Sequence, residues 1–177
     1  MNRKLKNDEL KRLNVTEFKG IAKYPIRIIL EDIRSAGNIG SVFRSSDAFL
    51  LDKIYLSGIS AKPPHREINK TALGATETVK WAYFEKTIDA IKECIKDDYK
   101  IYAVEQSENS IFLHEFIPKL NEKMAFIFGN EVEGVKQSSM DASNGVIEIE
   151  QGGTKHSINV AVCAGIIGWY VSLKFKK

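Results

Sequence analysis

Residues 26–50 read IRIILEDIRSAGNIGSVFRSSDAFL, and this stretch decides the fold. Its first part, residues 26–30, is a short apolar run, which is typical of a buried strand. A polar loop follows, and residues 39–50 then repeat apolar side chains at the spacing of one helical face. Asn38 stands where a residue that caps this helix is expected. A strand that leads through a polar loop into a helix predicts the repeating unit of an α/β fold.

The same alternation continues along the chain. Because strands separated by helices favour a mainly parallel sheet, we expect a single α/β domain with helices on both faces of the sheet. We assign residues 25–177 to this domain and residues 1–24 to a basic N-terminal extension. A polar loop is predicted over residues 59–70. The other predicted strands are residues 53–58, 79–84, 100–104, 124–128 and 145–150, and the other predicted helices are residues 71–77, 87–96 and 158–173.

The composition of the 177-residue chain limits the classes of function. A hydrophobic content of 44% supports one core, and two cysteines without a paired motif argue against a zinc site or a disulfide scaffold. We therefore expect no metal. The net charge of +3 permits nucleic-acid binding without requiring it. Lysine and arginine concentrate near both ends of the chain, where they either contact a nucleic acid or form solvated chain ends.

The last predicted helix, residues 158–173, is apolar on nearly all sides. It is shorter than the roughly 20 residues that a bilayer requires, so we expect no membrane contact. Because charged residues stand where a signal peptide would be apolar, we expect a cytoplasmic protein. A helix that is apolar all round must be covered on all sides, either by the core or by another chain. We interpret it as the interface of a homodimer.

Ligands of open parallel sheets bind at the carboxyl ends of the strands. The loop GNEVEG, residues 129–134, follows an apolar strand directly. Its acids, Glu131 and Glu133, would repel phosphate and suit a cationic ligand such as a sulfonium. Alternatively, they stabilise the N-terminus of a helix. Polar or glycine-rich loops at such strand ends are predicted over residues 31–40, 104–109, 129–134 and 150–159.

Two further positions allow both a structural and a functional interpretation. Ser157 is predicted to cap the last helix, and the neighbouring Lys155 and His156 either contact an anionic substrate or are solvated. Arg44 lies in the first turns of the helix after the first strand. It either pairs with Asp47, three residues on, or points its guanidinium at the ligand crevice.

Three segments carry a family resemblance. They are NIGSVFRSSDAF at residues 38–49, FIFGNEVEGV at residues 126–135 and IEIEQGGTKHSINVAVCAGI at residues 147–166. Each is weak alone, but together, in this order and at matching strand ends, they are specific. The chain resembles the SpoU (TrmH-like) family of RNA ribose methyltransferases, within the SPOUT superfamily, over residues 26–173. It departs from the family pattern at Glu150, where proline is frequent.

The resemblance implies a parallel α/β fold whose C-terminal segment forms a trefoil knot, although knots are nearly absent from proteins. It also implies that S-adenosylmethionine is the cofactor and that family members dimerise through the knot region. The residues implied to contact this methyl donor are Val104, Glu105, Gly129, Ile149, Ser157 and Ile158.

The resemblance further implies transfer of a methyl group to a ribose 2'-hydroxyl of tRNA or rRNA. Arg44 would stabilise the developing alkoxide and bind the adjacent phosphate, because a guanidinium is a poor proton acceptor. Asn38 would orient Arg44 or the ribose. Asn159 and Glu131 would hold the loops of the site. The resemblance allows Arg44 to serve either its own subunit or the partner subunit.

Three other functions compete with that of an RNA ribose methyltransferase. A non-catalytic RNA-binding module that kept the fold is the main alternative, and the joint presence of Asn38, Arg44, Glu131 and Asn159 argues against such decay. A dinucleotide-dependent oxidoreductase needs GxGxxG after the first strand, where this chain has SAGNIG. A class I methyltransferase needs its glycine-rich loop after the first strand, whereas the glycine-rich loops here come late.

Overall fold

The computed structural model describes residues 2–119 and 122–176, with residue 7 described by its backbone alone. In this part of the chain, seven strands form one sheet. They are β1 (Tyr24–Glu31), β2 (Leu51–Ser57), β3 (Lys80–Phe84), β4 (Lys100–Val104), β5 (Ile111–Phe112), β6 (Met124–Phe128) and β7 (Gly145–Glu148). The helices are α1 (Val15–Gly20), α2 (Ala36–Ala48), α3 (Arg66–Ala72), α4 (Ala75–Thr78), α5 (Thr87–Lys96), α6 (Gln137–Asp141) and α7 (Val160–Ser172).

The sheet is parallel throughout, in the order β3-β2-β1-β6-β4-β7-β5. β6 lies between β1 and β4 and is buried along its whole length, which accounts for its continuous apolar sequence. Along β1, Ile28 packs into a core with Ile167 of α7, whereas the next residue, Ile29, packs into a second core with Ile91 of α5. The prediction of a parallel α/β sheet with helices on both faces is therefore confirmed.

The start of α2 differs from the prediction, which placed it at residue 39. The helix begins three residues earlier because the Ser35 hydroxyl accepts the backbone N–H of Asn38 at 3.2 Å. Serine is a favourable capping residue, and it precedes the first apolar residue of the helix by four positions. Asn38, predicted to be the cap, instead lies inside the first turn, where its side-chain amide is available for other contacts.

The start of α7 was also predicted wrongly. The side chain of Asn159 accepts the backbone N–H groups of Ala161 and Val162 at 2.9 and 3.3 Å, so this asparagine caps the helix. Ser157, the predicted cap, is exposed and precedes the helix by three residues. The polar loop before α7 is therefore longer than the sequence indicated.

The region between β2 and β3 holds two short helices rather than one. α3 begins at Arg66, inside the predicted loop, and positive φ angles of 49° at Leu73 and 88° at Gly74 separate it from α4. β5 and α6 were not predicted, and β7 ends two residues before the predicted strand. The bounds of β4, β6 and α5 agree with the sequence prediction.

The residues before β1 pack only lightly on the sheet. Phe18 of α1 is buried, and α1 packs against α4. The boundary between the extension and the domain at residue 24, and the trefoil knot, stay predictions. Among the described helices, none has both the length and the apolar character for crossing a bilayer. The described residues also contain no cluster of histidine, cysteine, aspartate and glutamate that could hold a metal ion.

Candidate functional site

A cavity of about 430 Å³ lies at the carboxyl ends of β4, β6 and β7 and at the start of α7. The position agrees with the rule for open parallel sheets. All six residues that the family resemblance assigned to methyl-donor contacts line this cavity. They are Val104, Glu105, Gly129, Ile149, Ser157 and Ile158.

The loop at residues 129–134, called the glycine loop below, is closed on itself. The backbone N–H and carbonyl groups of Asn130 and Gly134 pair at 3.0 and 2.9 Å. A Cβ atom on Gly129 would lie 2.1 Å from the Gly134 carbonyl, and Gly134 itself has a φ of +69°. Glycine is therefore required at both positions, for close approach at the first and for backbone conformation at the second.

Glu105 holds the glycine loop in place. Its two carboxylate oxygens accept the backbone N–H groups of Gln106 and Val135, both at 2.9 Å. A Cβ atom on Gly134 would lie 2.2 Å from this carboxylate, so the close fit depends on glycine there as well. Glu105 lines the cavity, but its acceptor atoms are already used by the protein.

Three side chains from distant parts of the sequence form a hydrogen-bonded group at the rim of the cavity. The Asn38 amide donates to the Glu131 carboxylate at 3.1 Å, and the Asn159 amide donates to the Asn38 carbonyl oxygen at 3.1 Å. We call this group the polar trio. It joins the start of α2, the glycine loop and the start of α7, and it contains three of the four residues expected to be catalytic.

Glu131 also binds the N-terminus of α2. Its carboxylate accepts the backbone N–H groups of Arg34 and Ser35 at 2.9 and 3.1 Å. Burial raises the pKa of this carboxyl, but the N–H donors and the Asn38 amide outweigh burial, so the pKa lies below its usual value. The carboxylate therefore stays charged, and the alternative interpretation of this acid as a helix-terminus charge describes part of its role.

Arg44 stands apart from the polar trio. It lies on α2 six residues beyond Asn38, which is about 9 Å along the helix and on a different face. Its side chain is exposed and makes no hydrogen bond or ion pair with any described residue. The alternative ion pair with Asp47 does not form; instead Asp47 accepts the Thr78 hydroxyl at 2.5 Å. Asn38 contacts its partners in the polar trio rather than Arg44.

The lining of the cavity is acidic. It includes Glu105, Glu131, Glu133 and Glu148 and no lysine or arginine. The donors to these carboxylates are neutral backbone, amide and hydroxyl groups, so their charge is not cancelled within the lining. Such a lining favours a cationic ligand over an anionic one. Glu150, the departure from the family pattern, is exposed and lies outside the lining.

Gln106 and Cys163 are two of the lining residues that were not predicted from the sequence to contact a ligand. The Gln106 amide donates to the His156 carbonyl at 2.8 Å and so ties the end of β4 to the loop before α7. Gln106 comes directly after the end of β4, and this position was the signal in the sequence that could have identified it as a residue of the site. Cys163, on the second turn of α7, also lines the cavity. Burial raises the pKa of its thiol to about 11, so it is a neutral apolar contact. Lys155 is exposed and lies outside the lining.

Comparison with known proteins identifies the family of the chain. The SpoU rRNA Methylase family matches residues 25–169. A 23S rRNA (guanosine-2'-O-)-methyltransferase of Neisseria meningitidis serogroup B is 24% identical over 150 residues, which cover 85% of this chain and 59% of the relative. A tRNA (guanosine(18)-2'-O)-methyltransferase of Borreliella burgdorferi is 24% identical over 167 residues, covering 94% and 75%.

A solved structure shares the fold. The AdoMet-bound rRNA methyltransferase from Sinorhizobium meliloti superposes with a TM-score of 0.81 at 21% identity, covering 90% of this chain and 61% of that one. The chain belongs to the SpoU rRNA Methylase family. It spans 59% of the length of the Neisseria relative.

Proposed function

We propose that this protein transfers the methyl group of S-adenosylmethionine to a ribose 2'-hydroxyl of tRNA or rRNA. The polar trio carries the proposal, because Asn38, Glu131 and Asn159 come from the three family motifs and meet at the rim of one cavity. The names of the rRNA and tRNA relatives support the same reaction. Because its bacterial relatives act on rRNA and tRNA, we place the protein in the cytoplasm, with residues 25–177 as its catalytic domain.

The cavity suits S-adenosylmethionine in size and charge. Its volume of about 430 Å³ falls in the range of ligand pockets. Its acidic lining favours the positively charged sulfur of this donor. We assign the donor contacts to Val104, Gly129, Ile149, Ser157 and Ile158. Glu105, whose oxygens already bind the backbone, fixes the shape of the glycine loop beside them.

The chain's own contribution to the reaction is alignment and charge stabilisation. S-adenosylmethionine, when bound, supplies a methyl group on a sulfonium, which is reactive without further activation. Arg44 binds the phosphate next to the target ribose and stabilises the negative charge that develops on the 2'-oxygen. The hydroxyl proton leaves to phosphate or water, since a guanidinium stays protonated at working pH. The polar trio holds the glycine loop and the start of α7 in fixed positions relative to α2.

We infer that the protein works as a homodimer through α7. Val162 and Trp169 are 51% and 49% exposed and lie seven residues apart on one face of this helix. Ile117, 76% exposed, lies near the same helix, because the Tyr170 hydroxyl donates to the Phe116 carbonyl at 2.8 Å. Exposed apolar side chains on one helix face support an interface there.

The dimer accounts for the position of Arg44. α7 packs against α2, and a Cβ atom on Gly165 would lie 3.7 Å from the hydroxyl of Ser45, the residue next to Arg44. Arg44 therefore flanks the proposed interface rather than the cavity of its own chain. We propose that it serves the cavity of the partner subunit.

Transfer of label from S-adenosylmethionine to RNA tests the function. The purified protein is incubated with methyl-labelled donor and with total RNA from cells that lack the protein. We expect label in the tRNA or rRNA fraction. Donor binding in calorimetry without transfer to either fraction would contradict the proposal and favour the non-catalytic RNA-binding module.

A further inference from the structure

Four basic residues lie on α3, on the loop before it and on the segment just before α2, which packs against α3. All four are exposed, and the side chains of Arg66 and Lys70 are 94% and 74% exposed. None belongs to the core or to the lining of the cavity, so neither folding nor donor binding accounts for them. We call this group the basic shoulder, and its members are Arg34, Lys62, Arg66 and Lys70.

The fold holds the basic shoulder beside the polar trio. α3 packs on the first turn of α2, where the Thr71 hydroxyl donates to the Gly37 carbonyl at 2.9 Å. Gly37 immediately precedes Asn38 of the trio. On the other side, the backbone N–H of Arg34 donates to Glu131 at 2.9 Å. A ligand on the shoulder therefore lies next to the rim of the cavity.

The loop that carries Lys62 is fixed before any ligand binds. The Ser60 hydroxyl accepts the backbone N–H of Ile33 at 2.8 Å, and the Tyr83 hydroxyl donates to the Gly58 carbonyl at 2.8 Å. The Lys62 ammonium lies 4.1 Å from the centre of the Tyr83 ring. Preorganised cations lose little conformational entropy when they bind an anion.

The charge of the basic shoulder is largely uncompensated. Among the described residues, Glu67 alone forms ion pairs with the basic shoulder, 3.9 Å from Arg66 and 4.0 Å from Lys70, at the limit of an ion pair. Asp32, which directly follows β1, forms an ion pair with Lys136 at 2.5 Å. Within the group, four cations stand against Glu67, and the Glu131 carboxylate accepts the backbone N–H of Arg34 at 2.9 Å beside them.

We propose that the basic shoulder binds the sugar-phosphate backbone of the substrate RNA and directs the target ribose to the polar trio. This inference rests on the proposed function. Phosphate contacts fix the register and orientation of a nucleic acid, and arginine binds phosphate through two parallel hydrogen bonds. Because the lining of the cavity is acidic, it repels phosphate, so RNA stays on the shoulder while the cationic donor occupies the cavity.

Two triple variants with the same change in charge test the proposal. The shoulder variant carries Arg34→Gln, Arg66→Gln and Lys70→Gln. The control carries Lys92→Gln, Lys96→Gln and Lys100→Gln, which lie on α5 and at the start of β4, away from the carboxyl ends of the strands. Affinity for unfractionated tRNA and for poly(U) is measured from low to moderate salt, and affinity for S-adenosylmethionine is measured by calorimetry.

We expect the shoulder variant to bind RNA at least about tenfold more weakly at low salt, with the slope of log K against log salt reduced by about 2. The control variant should keep the slope and affinity of the unmodified protein, and all three proteins should bind the donor equally. Equal loss of RNA affinity in both variants, or unchanged affinity in the shoulder variant, would overturn the proposal. If the unmodified protein methylates RNA, the proposed function stands even where one of these outcomes overturns the role of the basic shoulder.

Discussion

Replacing Glu131 by glutamine tests whether the polar trio holds the site together. Glu133→Gln is the matched control, because it removes the same charge from the same loop. The Glu133 side chain makes no hydrogen bond with the described part of the chain. The Glu131 carboxylate accepts three, from two backbone N–H groups and the Asn38 amide, at 2.9 to 3.1 Å.

The expected loss follows from these contacts. Glutamine keeps one acceptor oxygen but turns an amide NH2 toward groups that can only donate, so at least one backbone N–H loses its partner. After allowance for the exposure of the site, we expect the free energy of unfolding to fall by about 1–2 kcal/mol. The corresponding fall in Tm is about 2–8 °C for a domain of this size. The control should change by less than about 0.5 kcal/mol.

Glu131→Gln should also remove the part of the pH dependence of the free energy of unfolding that comes from this carboxyl. Since the folded protein lowers the pKa of Glu131, folding favours the charged carboxylate. The carboxylate therefore adds fully to the free energy of unfolding above its unfolded pKa of about 4.3. This stabilisation is lost as the pH falls through the lowered pKa of the folded protein. Urea unfolding of both variants at neutral and acidic pH measures these effects. Equal destabilisation by Glu131→Gln and Glu133→Gln would refute the structural role of the trio.

Three further predictions concern the reaction and the assembly. Arg44→Ala should lower turnover by about 100-fold or more while the donor affinity measured by calorimetry stays within about twofold, because Arg44 acts on the RNA. An equal loss of turnover and of donor affinity would show that Arg44 is a structural residue. S-adenosylhomocysteine, which lacks the sulfonium charge, should bind about fivefold more weakly than S-adenosylmethionine, and Glu133→Gln should narrow this ratio. Identical affinities in the unmodified protein would show that the acidic lining does not recognise charge. Trp169→Glu should convert a dimer into a monomer in sedimentation, whereas Lys174→Glu, just beyond the end of α7, should not. A protein that sediments as a monomer before substitution would contradict the interface.

The sequence predicts the strands of the sheet well where they are buried on both faces. In β6 every residue is buried, so an uninterrupted apolar run is the expected pattern and its bounds could be assigned from the sequence. β5 has only two residues, and these are held by pairing with β7. A segment that short has no periodicity of its own, so the sequence gives no signal for it.

The residues of the site could be named, but their contacts could not. Asn38 was predicted to cap α2 because it directly precedes the apolar helical residues, whereas Ser35 takes that role. The freed amide of Asn38 then reaches Glu131, 93 residues away, and Asn159, 121 residues away. No local propensity encodes contacts over such distances. The contact with Glu131 depends on the parallel pairing of β1 with β6, and the contact with Asn159 depends on the packing of α7 against α2.

The position of the methyl group in the product tests the central claim most directly. RNA methylated by the protein with labelled S-adenosylmethionine is hydrolysed with alkali, which cannot cut the bond that follows a 2'-O-methylated ribose. We expect the label in alkali-resistant dinucleotides that release a 2'-O-methylated nucleoside on further digestion. Label recovered in single nucleotides with a methylated base would contradict the account, because the polar trio and Arg44 would then serve a different acceptor.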